Sequence, residues 1–477
     1  MEERIPSGID GLDEAIEGGF PKPRLIILAG NPGVGKTVFA SQFLAKGLML
    51  EEPGIYVSFA ESKEEFFRNS LRHLRFDFNR YESEGKFKFL DFLTFKEETG
   101  LIACLESMLE EVHRIKAKRL VIDSFTAMVQ AFEKPAEIRA LIHTVLGKIV
   151  KQVGCTTIMV EEIPLGESKV GLGIEEFVAD GLILLKASEL NERPLRDLEI
   201  IKLRGTELKE KRLVFTLKNG FKAFLPFKLN PIEKPKRFEP IKDPSNKFST
   251  GSQDFDEVLK GGIPKGGSML LEIDEKVSTL ELSSFLAPIA VNFAYQGRSV
   301  VVVPSSGVDP TLFYKHCQVY GGTDEEWRRY LRIIMARTFI QPKDWPNVII
   351  LKGEDSNEDL YEFIKICDEL RAETGQPSLM ILGIDTLITL YGERQCEKIL
   401  NLGITYTRRF GLSSIAIVKA GLRNLAVRLS PIADVYLRLT REHGCLLLYG
   451  IKPRTCFYGV EMDVSKGYPL PKLTPIV

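Results

Sequence analysis

Eight consecutive residues, Gly30-Asn31-Pro32-Gly33-Val34-Gly35-Lys36-Thr37, match the phosphate-loop pattern G-x-x-x-x-G-K-[ST] at every fixed position. The glycines let the backbone turn its N–H groups inward toward a polyphosphate. Lys36 has the reach for β- and γ-phosphates, and the Thr37 hydroxyl is of the type that ligates magnesium. An apolar run over 25–29 reads as the strand that must precede such a loop. The amphipathic pattern of Val38, Phe39, Phe43 and Leu44 reads as the helix that must follow, starting near Lys36 with its positive dipole end at the phosphates. Strand, loop and helix in that order point to a bound nucleoside triphosphate.

Three further groups have the chemistry to complete such a site. The run 119–122 is an apolar strand ending in Asp123-Ser124, which places a carboxylate where the magnesium side of a nucleotide site needs one. The strand 55–59 ends in Ala60-Glu61-Ser62, at the same edge of the sheet. Glu61 has two readings there: a group that orients or deprotonates water, or the first acidic residue of the next helix, with Ser62 as its cap and Glu65 closing a capping box. Finally, Lys202 and Arg204 stand two apart in Ile201-Lys202-Leu203-Arg204-Gly205-Thr206, so they share one face of a strand. They are either a solvated edge or cations offered to a neighbour's γ-phosphate; spacing leaves both open.

The surrounding sequence dictates the scaffold. Short apolar runs at 25–29, 55–59, 87–91, 119–122, 156–160 and 181–186 alternate with helical patterns over 37–50, 63–74, 101–116 and 136–153. That is the pattern of a mainly parallel sheet with helices on both faces. Residues 196–204 and 212–217 read as an antiparallel hairpin added at its edge. With 477 residues, two domains are expected. A self-comparison supports two: Ser7 to Lys22 sets Gly8 against Gly251, a shift of 243 positions, and Gly8, Asp13, Glu14, Gly18, Gly19, Pro21 and Lys22 all recur. Residues 226–247 are rich in Pro and Lys and read as the linker. The domains are therefore 1–228 and 248–477, joined by 229–247.

The second copy keeps the scaffold and loses the loop. After the strand 269–273 comes Asp274-Glu275-Lys276-Val277-Ser278-Thr279, without the glycines or the lysine, and its two carboxylates repel a triphosphate. Composition adds exclusions: 64 basic and 65 acidic residues give a net charge of -1, which argues for no polyanionic partner overall. The loop from Glu161 to Lys169 holds more acid than base, and Arg328-Arg329-Tyr330-Leu331-Arg332 follows Asp324, Glu325 and Glu326, reading as a solvated helix face. Seven cysteines without a C-x-x-C pair fit a reducing compartment. With neither a signal-like start nor an uninterrupted apolar span, a soluble, cytoplasmic protein is expected.

Taken together, the leader Ser7-Gly8-Ile9-Asp10-Gly11-Leu12-Asp13 with Gly18-Gly19, the phosphate loop, Asp123-Ser124-Phe125-Thr126-Ala127, the segment Gly173-Ile174-Glu175-Glu176-Phe177-Val178-Ala179-Asp180, and Lys202 to Thr206 resemble the KaiC/RadA branch of RecA-like ATPases, and KaiC-like proteins most of all. The resemblance implies two tandem RecA-like P-loop domains of α/β class. It implies ATP and magnesium held by Gly30 to Val38, with Thr37 and Asp123 on the metal, between subunits of a homo-oligomeric ring, commonly of six. It also implies that Lys202, Arg204 and Thr206 act on a neighbour's nucleotide. Two departures matter. Such domains carry paired glutamates after the second strand, where this chain has Ala60-Glu61, so hydrolysis is expected to be slow or absent. The second half has Ser305-Ser306 at that place, although Ile384-Asp385-Thr386 and Lys452-Pro453-Arg454-Thr455 still resemble their counterparts. The expected function is a regulatory or signalling ATPase with a nucleotide-free second domain serving assembly or a protein partner. The alternatives are a non-hydrolysing ATP switch and a recombinase-like DNA-binding ATPase, the latter disfavoured by the acidic loop.

Overall fold

The computed structural model describes residues 3–92, 98–129, 147–166, 179–336 and 347–477. Most of the helix expected over 136–153, the segment 173–178 and residues 167–169 lie outside these. The chain divides into two compact units, Met1–Pro226 with His443–Cys445 and Pro475–Val477, and Phe227–Glu442 with Leu446–Thr474. Each is built on one large, mostly parallel sheet flanked by helices, the tandem RecA-like α/β arrangement.

In the first unit the elements that matter for the site are β1 (Leu25–Gly30), α1 (Lys36–Met49), β2 (Gly54–Ser58), α2 (Lys63–Leu74), β3 (Phe87–Asp91), α3 (Glu98–Arg114), β4 (Arg119–Asp123), β5 (Thr156–Glu162), β6 (Gly181–Leu190), β7 (Arg193–Leu203), β8 (Arg212–Thr216) and β9 (Lys222–Phe224). Across the sheet they run β9-β8-β7-β6-β1-β5-β4-β2-β3. From β6 to β3 every pair is parallel, and from β6 to β9 every pair is antiparallel. All six residues of β1 are buried because helices cover both faces of a central parallel strand. Ile26 and Leu28 pack with Phe39 and Phe43 of α1, whereas Ile27 and Ala29 turn to Met108 and Met159 on the other face. The period of two thus feeds two cores.

Parallel pairing has a functional consequence: β1, β2, β4 and β5 all end at one edge. Gly30 pairs with Glu162, and Ser58 with both Asp123 and Asp91, so the residues that follow these strands are gathered together. The edge outside the carboxyl ends of such strands is where α/β folds bind ligands.

Arg119, at the opposite end of β4, ties this layer together. Its side chain is fully buried. It donates to Glu52 at 2.8 Å, to the Pro6 carbonyl at 2.8 Å and to the Phe43 carbonyl at 2.6 Å, and its guanidinium lies over the Phe43 ring. Gly47 of α1 leaves the room it needs, since a Cβ there would come within 2.3 Å of Arg119 Cδ.

The second unit runs β10 (Ser268–Ile273), α4 (Thr279–Tyr295), β11 (Val300–Val303), β12 (Leu331–Ala336), β13 (Val348–Leu351), α5 (Ser356–Thr374), β14 (Leu379–Gly383), α6 (Ile384–Tyr391), α7 (Glu393–Phe410), β15 (Ser413–Lys419), β16 (Val435–Glu442), β17 (Cys445–Lys452), β18 (Tyr458–Asp463) and β19 (Leu470–Pro475). Its sheet order is β13-β12-β11-β14-β15-β10-β16-β17-β18-β19. One expectation is corrected here: the basic stretch 328–332 is not a single helix face. Arg328 and Arg329 close the helix Asp324–Tyr330, while Leu331 and Arg332 already belong to β12, because the buried Leu331 must pair with Val300. Among the described residues no helix is long and apolar enough to cross a membrane.

Replacing Arg119 by Met keeps volume but leaves Glu52 and two carbonyls without their donor. The expected cost is about 3 kcal/mol of first-unit stability, read as a lower denaturant midpoint with an unchanged slope.

Candidate phosphate site

Between β1 and α1 the chain reverses through Gly33 (φ 77°) and Gly35 (φ 105°), conformations that a side chain resists. Gly35 has a second reason to be glycine: an added Cβ would lie 2.8 Å from Leu217. Helix α1 then begins with Gly35 as its N-cap and no side-chain cap, so its first N–H groups are left for a ligand. Lys36 Nζ reaches back across the loop to the carbonyls of Gly30 and Asn31, both at 2.9 Å. Burial lowers the lysine's pKa, with Glu162 and Asp123 working against that shift. Asn31 fixes the loop's outer side by donating to the carbonyls of Ile163 and Pro164, at 2.9 and 3.2 Å. Pro32 and Gly33 are exposed, whereas Val34 is buried in the core and Val38 packs against it, so these two valines offer the site backbone only.

The metal-side pair is assembled as the strand ends require. Thr37 Oγ1 donates to Asp123 Oδ2 at 2.9 Å, and the Tyr56 hydroxyl donates to the same oxygen at 2.6 Å. Burial pushes the Asp123 carboxyl up, and the hydrogen bonds from Tyr56 and Thr37 oppose this. Tyr56 was not singled out from sequence. Its ring stacks on Phe89 and packs against Phe66, and that aromatic wall aims its hydroxyl at Asp123. Two hard oxygen groups beside a phosphate loop fit magnesium, which takes one or two protein ligands and completes its shell with phosphate and water. Among the described residues no cluster of three or more His, Cys, Asp or Glu forms a self-sufficient metal cage.

Glu61 lies just past the end of β2, in a turn closed by Ser58 Oγ, which accepts from the Glu61 N–H and donates to its carbonyl. Its carboxylate accepts from Asn69 Nδ2 at 2.6 Å. Burial raises its pKa, the Asn69 bond lowers it, and Asp123 raises it again. Ser62 and Glu65 do form a capping box on α2. The capping reading of the neighbours therefore leaves the Glu61 side chain outside the box.

Lys202, Arg204 and Thr206 are gathered elsewhere. Strand β7 runs antiparallel to β6, so its end meets the start of β1: Leu203 pairs with Gly181, and Gly181 with Ile26. Lys202 donates to the Ala179 carbonyl at 2.7 Å, and Arg204 lies 3.8 Å from Asp180, whose other oxygen accepts from Leu25 N–H. The six-residue β1 separates this group from the phosphate loop of the same chain by about 17 Å at 3.3 Å per residue. Arg4 holds the following turn. It donates to Thr206 Oγ1 at 2.8 Å, to the Gly205 carbonyl at 2.9 Å, and to the carbonyls of Ile16 and Gly19, both at 3.1 Å. Sequence reading passed over Arg4, since its partners Gly205 and Thr206 lie about two hundred residues away. It also passed over Arg196 of β7, which donates to the phosphate-loop carbonyl of Gly33 at 3.3 Å.

The matching place in the second unit is closed. Helix α4 has Ser278 as N-cap, with Glu281 accepting from the Ser278 N–H and hydroxyl at 2.7 and 2.8 Å, and Glu281 pairs with Arg441. Asp274 holds the turn through Lys276 N–H and Thr440. Asp385, the counterpart of Asp123, is paired with Lys419 at 2.8 Å and accepts from Ser306 N–H.

Against known proteins, residues 5–223 match the family described as the KaiC ATPase, and residues 237–323 match one described as GvpD basic region 2. A UPF0273 protein of Pyrococcus furiosus is 34% identical over 230 residues, covering 46% of this chain and 92% of that protein. The chain belongs to the KaiC-like ATPase family. The circadian clock oscillator protein KaiC of Thermostichus vulcanus is 32% identical over 276 residues, 56% of this chain and 51% of that one. The match thus spans about half the length of such KaiC-like relatives. A crystal structure of a KaiC-like protein from Pyrococcus horikoshii OT3 is 35% identical and covers 47% of this chain and 100% of its own, with a TM-score of 0.43.

Removing the Arg4 clamp by Arg4→Ala should free the 204–206 turn and leave the phosphate loop as it is. Amide hydrogen exchange is expected to quicken about tenfold over residues 204–206 and not over 30–37.

Proposed function

We propose that the first domain binds ATP with magnesium and cleaves it slowly between copies of this chain arranged in a ring, as a regulatory ATPase. In this reading the second domain is a nucleotide-free partner in assembly or recognition. The observation that carries the proposal is the placement of two half-sites at opposite ends of one sheet. A phosphate loop at the carboxyl ends of β1, β4 and β2 cannot use Lys202 and Arg204 from its own chain, some 17 Å away along β1. A second copy set against that edge can supply them, and Arg204, with a side chain 57% exposed, is available to it.

Each of these residues has a role in this reading. The N–H groups of residues 33–38 and the start of α1 cradle the phosphates, and Lys36 leaves its two loop carbonyls for phosphate oxygens. Thr37 and Asp123 hold magnesium, which when bound neutralises charge on the β- and γ-phosphate oxygens. Tyr56 keeps the Asp123 carboxylate aimed. Glu61 orients the attacking water, and Lys202, Arg204 and Thr206 of the neighbour stabilise the transferred phosphoryl group. Ala60 leaves the site one carboxylate short of the paired glutamates that the family resemblance implies, and Asn69 engages the Glu61 that remains. That observation favours a second reading, an ATP switch that binds without turnover.

Mixing tests the shared site. Arg204→Ala alone should retain ATP and lose turnover by about a thousandfold, whereas Lys36→Ala alone should lose binding. Combined in equal amounts and allowed to exchange, the two variants should recover about a quarter of wild-type phosphate release, because one interface in four pairs an intact loop with an intact Arg204. A mixture as inactive as its parts would rule out sharing between chains.

A further inference from the structure

Under α5, α6 and α7 the second unit contains a partly open cavity of about 100 Å³, walled almost wholly by carbon atoms. Met380, Leu382 and Ala416 form its floor on the sheet, and Phe363, Leu387 and Gly403 its helical side. Interiors normally leave few voids of this size, since each forfeits contacts along its whole lining.

Gly403 shows that the space is built into the sequence. Cys396, Leu400, Gly403 and Thr407 recur at helical spacing along α7 and line the cavity or the core around it. A glycine on the inner face of a long helix usually marks the close approach of another backbone, which repays its poor helix propensity. Here an added Cβ would meet no atom within 4 Å. The glycine preserves emptiness instead of contact.

Several of the polar groups on the wall already have partners. Asp359 accepts from Tyr391 at 2.8 Å and from Gly353 N–H at 2.9 Å, Thr386 donates to the Pro304 carbonyl at 2.6 Å, and Thr407 donates to the Gly403 carbonyl at 2.7 Å. An occupant therefore needs no polar atom, and water would find few groups to bond. Apolar cavities of this order take up xenon or a single aromatic ring.

We propose that this cavity is a binding site for one small apolar molecule, a single aromatic ring or a short alkyl group, held against Gly403. Occupation fills the space left by the absent side chain and stabilises the second unit, a function separate from phosphate binding.

Benzene and xenon are the probes, used on the full chain. Near-saturating benzene should raise the unfolding temperature of the wild type by about 2 °C or more. Gly403→Leu, which fills the space, should unfold at or above the wild-type temperature without benzene and lose the response. Crystals under xenon pressure should show xenon between Phe363 and Gly403 in the wild type only. No benzene shift and no xenon in the wild type would overturn the proposal, as would an equal benzene shift in Gly403→Leu. If Gly403→Leu does not fold, Gly403→Ala takes its place, with a reduced benzene shift expected and an undiminished one counting against the site.

Discussion

Whether the helix that follows the first strand of a unit is left uncapped governs the rest of this molecule. In the first unit α1 starts at Gly35 with no side chain over its N-terminus, after a loop whose two positive-φ glycines keep side chains out of the way. In the second, Ser278 and Glu281 close the end of α4 on itself, and Arg441 neutralises the Glu281 carboxylate. An internal carboxylate thus occupies the electrostatic place that a phosphate takes at an open helix end. Lys419 does the same for Asp385, whereas Asp123 accepts from Thr37 and Tyr56. One scaffold serves two purposes through a handful of side chains.

The sheet then decides what a single chain can do alone. Parallel strands bring Gly30, Ser58, Asp123 and Glu162 to one edge, while the antiparallel return of β7 sends Lys202 and Arg204 to the other. No rotamer change spans a strand. The same topology that gathers the phosphate loop leaves it without those cations, and the proposed dependence on a neighbour rests on that separation. Arg4 fits this arrangement: it joins the leader to the turn carrying Gly205 and Thr206, directly after Arg204.

Much of this was legible in the sequence because the signals were local or repeated. The phosphate loop is contiguous, the strands of the parallel core are uninterrupted apolar runs, and the duplication shows in Gly8, Gly18 and Gly19 against Gly251, Gly261 and Gly262. What escaped depends on pairing over long separations. Tyr56 reads as an ordinary strand residue until β2 is seen beside β4, which puts its hydroxyl on Asp123. Arg4 and Arg196 look like surface charges until their carbonyl partners are located. The position of Lys202 relative to the phosphate loop depends on whether β7 runs parallel or antiparallel to β6, which residue spacing does not encode. The basic stretch 328–332 was misread as one helix because a helix end and a strand start abut without a turn signal between them.

The central claim is an asymmetry between two copies of one framework, and counting bound nucleotide tests it most directly. Equilibrium dialysis of the full chain at saturating Mg-ATP should give one ATP per chain, falling to none in Lys36→Ala. Two per chain, or one per chain that survives Lys36→Ala, would contradict the account.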